Sequence, residues 1–389
     1  MKKGILINFI FVILLLVSSC NKKSVSNISL LDNSGFDTII NGKQGMLFTL
    51  RNDNGCVAQF TNLGGRWVSM WVPDKSGKMT DVVLGFNSLE AYLAAGEPYH
   101  GSIVGRVCGR INNANFNLDG LTYQLAHNDG FGKPEKNHLH GGIEGFHRKV
   151  WDGTTFENET GEQGIRFTYT SVDSEEGYPG NLDVSVSYLL TNDNALRIEF
   201  RAVTDQLTIV NLTNHVFFNL NGEGNGDILS HKMKIQADKY IECDGELIPT
   251  GYLKPVSSTP LDYREIGDMG KGIYEDHDQV FKNMGYAAAM VINAYDEDSI
   301  RPVAEAYSST SGIKMSVTSN QPSLQIYNAW LFDGKDVGKS GKNYVFSGGF
   351  VMETQGFPDA PNHENFPDIR LYPGETYYHE CEYKFSIQN

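Results

Sequence analysis

A two-residue hydrophobic period constrains this chain more than any other feature. In LDVSVSYLLTNDNALRIEFRAVT, residues 182–204, Leu182, Val184, Val186 and Tyr188 fall on one face, NDN supplies a turn, and Leu196, Ile198, Phe200 and Ala202 alternate with Arg197, Glu199 and Arg201. Only an extended backbone sends successive side chains to opposite faces, so this stretch predicts an antiparallel hairpin over one apolar surface. The same period recurs in NFNLDGLTYQL, IRFTYTSV, GIKMSVTS and YYHECEYKFSI, while helical spacing is confined to short stretches such as SLEAYLAAG. With 41 glycines, 21 phenylalanines and 19 tyrosines to serve tight turns and pleated faces, the expected fold is all-β, a large antiparallel β-sandwich. No Gly-rich phosphate loop follows a strand, which argues against a nucleotide-binding βαβ arrangement.

The first residues stand apart from this pattern. MKKGILINFIFVILLLVSSC has two lysines, an apolar stretch from Ile5 to Val17, then small residues and Cys20, the layout of an export signal. VSSC further resembles a bacterial lipobox, so residues 1–19 are expected to be removed and Cys20 lipidated. Residues 20–38, polar and poor in aromatics, are then a tether, and 39–389 the folded body. That places the protein outside the cytoplasm, held to the cell envelope by its lipid alone.

No composition break, linker or repeat divides the body after residue 40, so one domain is expected. The net charge of -15 becomes -17 once Lys2 and Lys3 leave with the signal, which repels phosphate backbones and excludes nucleic acid as partner. A neutral small molecule fits better, and a monomer is expected. Cys56, Cys108, Cys243 and Cys381 are scattered without CxxC or zinc spacing, and any disulfide pairing among them is unreadable.

Several polar groups lie within this apolar scaffold. His215 interrupts NLTNHVFFNL, a segment that reads as a strand, and is either a core histidine or a general acid. Glu353 follows Phe350, Val351 and Met352, where burial would raise its pKa and make it a usable base. NHLHGG sets His138 and His140 two apart; a metal would need a third ligand that no regular spacing supplies, so His140 is either structural or holds a polyol. Arg106 and Arg110 offer forks for vicinal hydroxyls. Asp276, in YEDHDQVF, lies in what reads as a solvated acidic loop.

Taken in order, GRVCGRI, NHLHGG with GFHRKVW, EEGYPGNL, NLTNHVFFNL, DGELIPTG, DHDQVF, ETQGFPDAPN and LYPGETYYHE resemble the aldose 1-epimerases, or galactose mutarotases, over roughly residues 40–387. The resemblance implies a β-sandwich with an open sugar-binding cleft and interconversion of the α and β anomers of free aldoses such as galactose and glucose. It implies that Glu353 is the base at the anomeric hydroxyl and His215 the acid at the ring oxygen. Arg110, His140, Asp276 and Gln325 would hold sugar hydroxyls. The chemistry needs one basic and one acidic group, expected on different sides of the ring, and no metal or other cofactor. One position departs from the pattern: Gly109 stands where the family usually has asparagine, and whether Asn112 or Asn113 compensates is open. Two other classes fit some of the same residues. They are a glycoside hydrolase using Asp276 and Glu353, and a sugar-binding lipoprotein without turnover.

Overall fold

The structure, a computed structural model, describes residues 28–129, 135–280 and 284–388. The 182–204 hairpin forms as its period dictates. Leu182–Leu190 pairs antiparallel with Ala195–Thr204, with Val186 opposite Phe200 and the even-numbered apolar side chains buried. These strands belong to a nine-stranded sheet in the order Asp152–Glu157, Gln163–Ser171, Leu182–Leu190, Ala195–Thr204, Tyr377–Ile387, Ile313–Ser319, Arg301–Tyr307, Lys232–Ile235 and Gly267–Asp268. Its middle strand is YYHECEYKFSI, from the far end of the chain. SLEAYLAAG supplies the six-residue helix Leu89–Ala94, capped by the Ser88 side chain accepting from Ala91 N–H.

A four-stranded sheet, Leu47–Arg51, Val57–Thr61, Arg66–Pro73 and Met79–Asp81, and a five-stranded one share the principal core with the large sheet. The five strands run in the order Pro249–Pro255, Ala237–Cys243, Ala287–Ile292, Ser323–Tyr327 and Val351–Gln355. Val186, Phe200, Met315 and Tyr383 from one sheet join Phe60, Trp67, Met290, Leu324, Ile326 and Met352 from the others. This is the expected all-β sandwich. Because Leu324, Ile326 and Met352 point into that core, alternation sends Gln325 and Glu353 to the opposite face. The core thereby fixes which residues can form a site.

Two sequence expectations are corrected here. Only Thr213–Asn214 of the 211–220 segment is a regular strand. The segment changes partners along its length, pairing at Asn211 with Arg106 and Val107, next with Val104 and Ile103, then with Ser102 and Gly101, and at Phe218 with Val83 and Phe350. The second concerns the tether, expected to run to residue 38. Phe36 is completely buried, and Leu31 exchanges two hydrogen bonds with the Gln59 amide, so the packed body starts before residue 39. Cys20 lies outside the described residues. Among those described, Cys56, Cys108, Cys243 and Cys381 are all free thiols.

Candidate active site

The outward face of the five-stranded sheet forms the floor of a cavity of about 590 Å³. Register places Glu353 beside Gln325 and Gln325 beside Ala289, one row across three strands. All three residues line the cavity, together with His215, His140 and Arg110. Five of the six residues to which the resemblance assigned catalysis or sugar binding are thus brought together from separate elements.

Glu353 is 1 % exposed and His215 4 %. His215 Nε2 lies 3.7 Å from Glu353 Oε1, and neither Glu353 Oε2 nor His215 Nδ1 has a hydrogen-bond partner among the described residues. Burial first, and the nearby Glu97 carboxylate second, push Glu353 well above the usual carboxylate range. Burial pulls His215 down to about 3, with the charge of Arg66 acting in the same direction. Both shifts run in the direction that favours the uncharged forms, a neutral carboxyl on Glu353 and a neutral imidazole on His215. The two groups are neighbours, not residues facing each other across a ring. Adjacent groups suit a reaction whose two proton-exchanging oxygens are bonded to the same carbon.

The surrounding side chains are held from behind. His140 Nδ1 accepts the Gly109 N–H at 3.2 Å, and His140 N–H donates to the Gly109 carbonyl at 3.1 Å. With Nδ1 an acceptor, the ring proton lies on Nε2, which makes this histidine a donor. Arg110 forms a two-point pair with Asp129, Nε to Oδ2 at 2.8 Å and Nη2 to Oδ1 at 3.3 Å, which fixes its planar fork. Tyr99 packs against both His140 and His215, with ring centroids 4.6 and 5.6 Å away.

Other candidates belong elsewhere. Asp276 is exposed and does not line the cavity, so the structure does not bring the sixth candidate to the site, nor does it pair Asp276 with Glu353 as a hydrolase would require. Its loop is nonetheless tied to the rim: the Gln279 amide accepts from Cys243 N–H and donates to the Cys243 carbonyl. Arg106 is buried and spends its fork on the carbonyls of Pro179, Gly180 and Ser171, a structural role. His138 is also structural, with its nitrogens engaged by the Ala126 carbonyl and the Tyr178 hydroxyl, leaving neither for a metal. Asn112 and Asn113 do not line the cavity, and the space beside Gly109 is taken by Pro358. Asp129, Glu97, Tyr99, Tyr327 and Trp330 line the cavity without having been anticipated. Only EPYHG, with its acid and aromatic beside a Pro, carried a local hint of them.

The family model for aldose 1-epimerase matches residues 46–384. The chain belongs to the aldose 1-epimerase family. It is 40 % identical to the galactose mutarotase of Rattus norvegicus over 340 residues, which is 87 % of this chain and 94 % of that protein. It is 35 % identical to the aldose 1-epimerase of Escherichia coli (strain K12) over 346 residues, 88 % and 96 % of the two chains. Among solved structures, an aldose epimerase homologue from C. elegans matches with a TM-score of 0.78 and 29 % identity, covering 89 % of this chain and 100 % of that one. Family and fold agree with the expectation drawn from the eight motifs. The activity that goes with the family, isomerisation of an aldose at its anomeric carbon, is the expected one as well.

Proposed function

We propose that this aldose 1-epimerase interconverts the α and β anomers of free hexoses such as glucose and galactose, with Glu353 as base and His215 as acid. The observation that carries this reading is the buried pair itself, two groups 3.7 Å apart on a cavity floor with one unpartnered heteroatom each among the described residues. Ring opening removes a proton from O1 and delivers one to the ring oxygen. The reactive form is therefore carboxylate plus imidazolium, a tautomer of the resting pair with the same total charge. A sugar favours it, because O1–H donating to the carboxylate and the ring oxygen accepting from the imidazolium stabilise the charged forms against desolvation. When the ring has opened, the proton is on Glu353 and His215 is neutral, matching what burial prefers. The aldehyde rotates about C1–C2 and the steps reverse on its other face. His140, Arg110 and Gln325 hold the remaining hydroxyls.

Polarimetry on freshly dissolved α-glucose tests the pair. Glu353→Gln and His215→Asn should each lower kcat by roughly 10²-fold or more, and the double variant should be little worse than the worse single one, because both serve one proton relay. A folded single variant with near-normal turnover removes that residue from the mechanism.

The leader supports a second, independent proposal: Cys20 is lipidated and tethers the enzyme to the cell envelope outside the cytoplasm. A Cys20→Ser protein should lose metabolic labelling with palmitate and leave the membrane fraction. Retained acylation in that variant would overturn the assignment.

A further inference from the structure

Two non-glycine residues of the cavity wall have a positive φ, His140 at +53° and Leu247 at +63°. Glycine adopts this conformation freely, whereas a bulky side chain meets a steric cost there. His140 offers its ring to sugar hydroxyls; Leu247 has no polar group to offer. It is the only aliphatic side chain larger than alanine at positive φ among the described residues. The turn that carries it does not need it. Between the strands Ala237–Cys243 and Pro249–Pro255, the Asp244 carboxylate accepts the N–H groups of Glu246 at 2.8 Å and Ile248 at 3.0 Å, Leu247 N–H donates to the Asp244 carbonyl at 3.0 Å, and Asp244 N–H donates to the Ile248 carbonyl at 2.9 Å. These bonds use only the backbone of residue 247, so glycine would serve the turn better. Nor is the side chain part of the core: it is 8 % exposed, yet it joins none of the apolar clusters formed by the described residues. What it faces is the cavity. Ala237–Cys243 lies three steps from Val351–Gln355 in the sheet order, ~14 Å at the usual strand spacing, so Leu247 at its tip stands on the far side of the floor from Glu353.

Resting on the epimerase reading above, we propose that Leu247 is a sugar-binding residue, its left-handed backbone aiming the side chain against the carbon skeleton of the bound hexose on the side remote from O1. Arg110, His140 and Gln325 serve the hydroxyls. A pyranose also presents C–H groups, and an aliphatic wall removes these from water. Backbone strain at a side chain that neither the turn nor the core requires is accounted for by such a use. A wall on a fixed turn touches the sugar equally in the ground and transition states. Its contribution therefore falls on binding, and the proton transfers at Glu353 and His215 proceed without it.

Glycine keeps the turn and deletes the wall. In polarimetry on fresh α-glucose and α-galactose, Leu247→Gly should raise KM by about tenfold, the low end of what one apolar contact in a pocket contributes, with kcat within about threefold of the parent. Its melting temperature should stay close to the parent's, because release of the left-handed strain offsets the lost side chain. Leu247→Asn tolerates the same φ and should raise KM likewise. Leu247→Met restores an unbranched apolar side chain and should bring KM back to within about threefold of the parent. A folded glycine or asparagine variant with parental KM for both sugars overturns the contact, and so does a raised KM that methionine fails to restore. Failure of both variants to fold overturns it too, since Leu247 would then belong to the core. No turnover of glucose in the parent overturns the epimerase reading instead.

Discussion

Placing a carboxyl group at 1 % exposure beside an imidazole at 4 % costs folding free energy whichever member carries charge. The direction of each shift fixes how this cost depends on pH. Glu353 has a folded pKa above its ordinary value of 4.5, so the favourable state is fully present below 4.5 and is lost as pH rises through the folded value. His215 has a folded pKa of about 3 against 6.5, so its contribution is present above 6.5 and is lost as pH falls towards 3. Glu353→Gln removes the first liability while keeping the shape. This variant should melt at a higher temperature than the parent at pH 8, with the difference closing near pH 4. Melting curves across that range decide it; a difference that does not change with pH refutes the burial account. Both residues were legible in the sequence as polar groups among aromatics, whereas their contact was not, because 137 positions lie between them and each sits on a different element.

At the scale of elements, what was legible was local. The 182–204 hairpin follows from alternation and a turn inside one stretch, and every strand read from a two-residue period forms. The 211–220 segment failed as a regular strand because its partners come from around residue 83, from 101–108 and from 350, and no local pattern encodes such a switch. Register is equally non-local, so Tyr327 and Ala287 could not be seen as cavity residues until their strands were paired. Gly109 shows how an element end can be misread. Its lack of a side chain looked like a missing hydrogen bond to sugar. In the structure it precedes the strand Arg110–Ile111 with φ +73°, and a Cβ there would sit 2.8 Å from Pro358 Cβ. Asparagine tolerates that φ, so the clash with the proline ring decides the outcome. Gly109→Asn should cost ~1–3 kcal/mol, the usual range for overpacking, and displace His140, which Gly109 holds at both backbone groups. Melting temperature and kcat/KM on glucose and galactose should both fall. A variant as stable as the parent with a new sugar preference would restore the hydrogen-bond reading.

For the molecule as a whole, the question is where the cooperative unit begins. Polar composition placed the boundary at residue 39, because hydropathy averaged over a segment hides one well-placed side chain. Phe36 is fully buried in a second apolar cluster that also contains Leu84, Phe86, Phe217 and Tyr344. Phe217 in turn packs on His215, with ring centroids 5.0 Å apart. Removing Phe36 therefore opens a hole in the cluster that backs His215. A Phe→Ala change in such a site costs ~3–5 kcal/mol, a large share of the ~5–15 kcal/mol that keeps a typical domain folded. A protein beginning at residue 28 keeps Phe36 and the Leu31–Gln59 pair and should melt and turn over like the full-length protein. A protein beginning at residue 39 loses both and should melt several degrees lower, and Phe36→Ala in the longer form should reproduce most of that loss. If the two truncations melt together, residues 28–38 are a tether after all and Phe36 contributes nothing to the core.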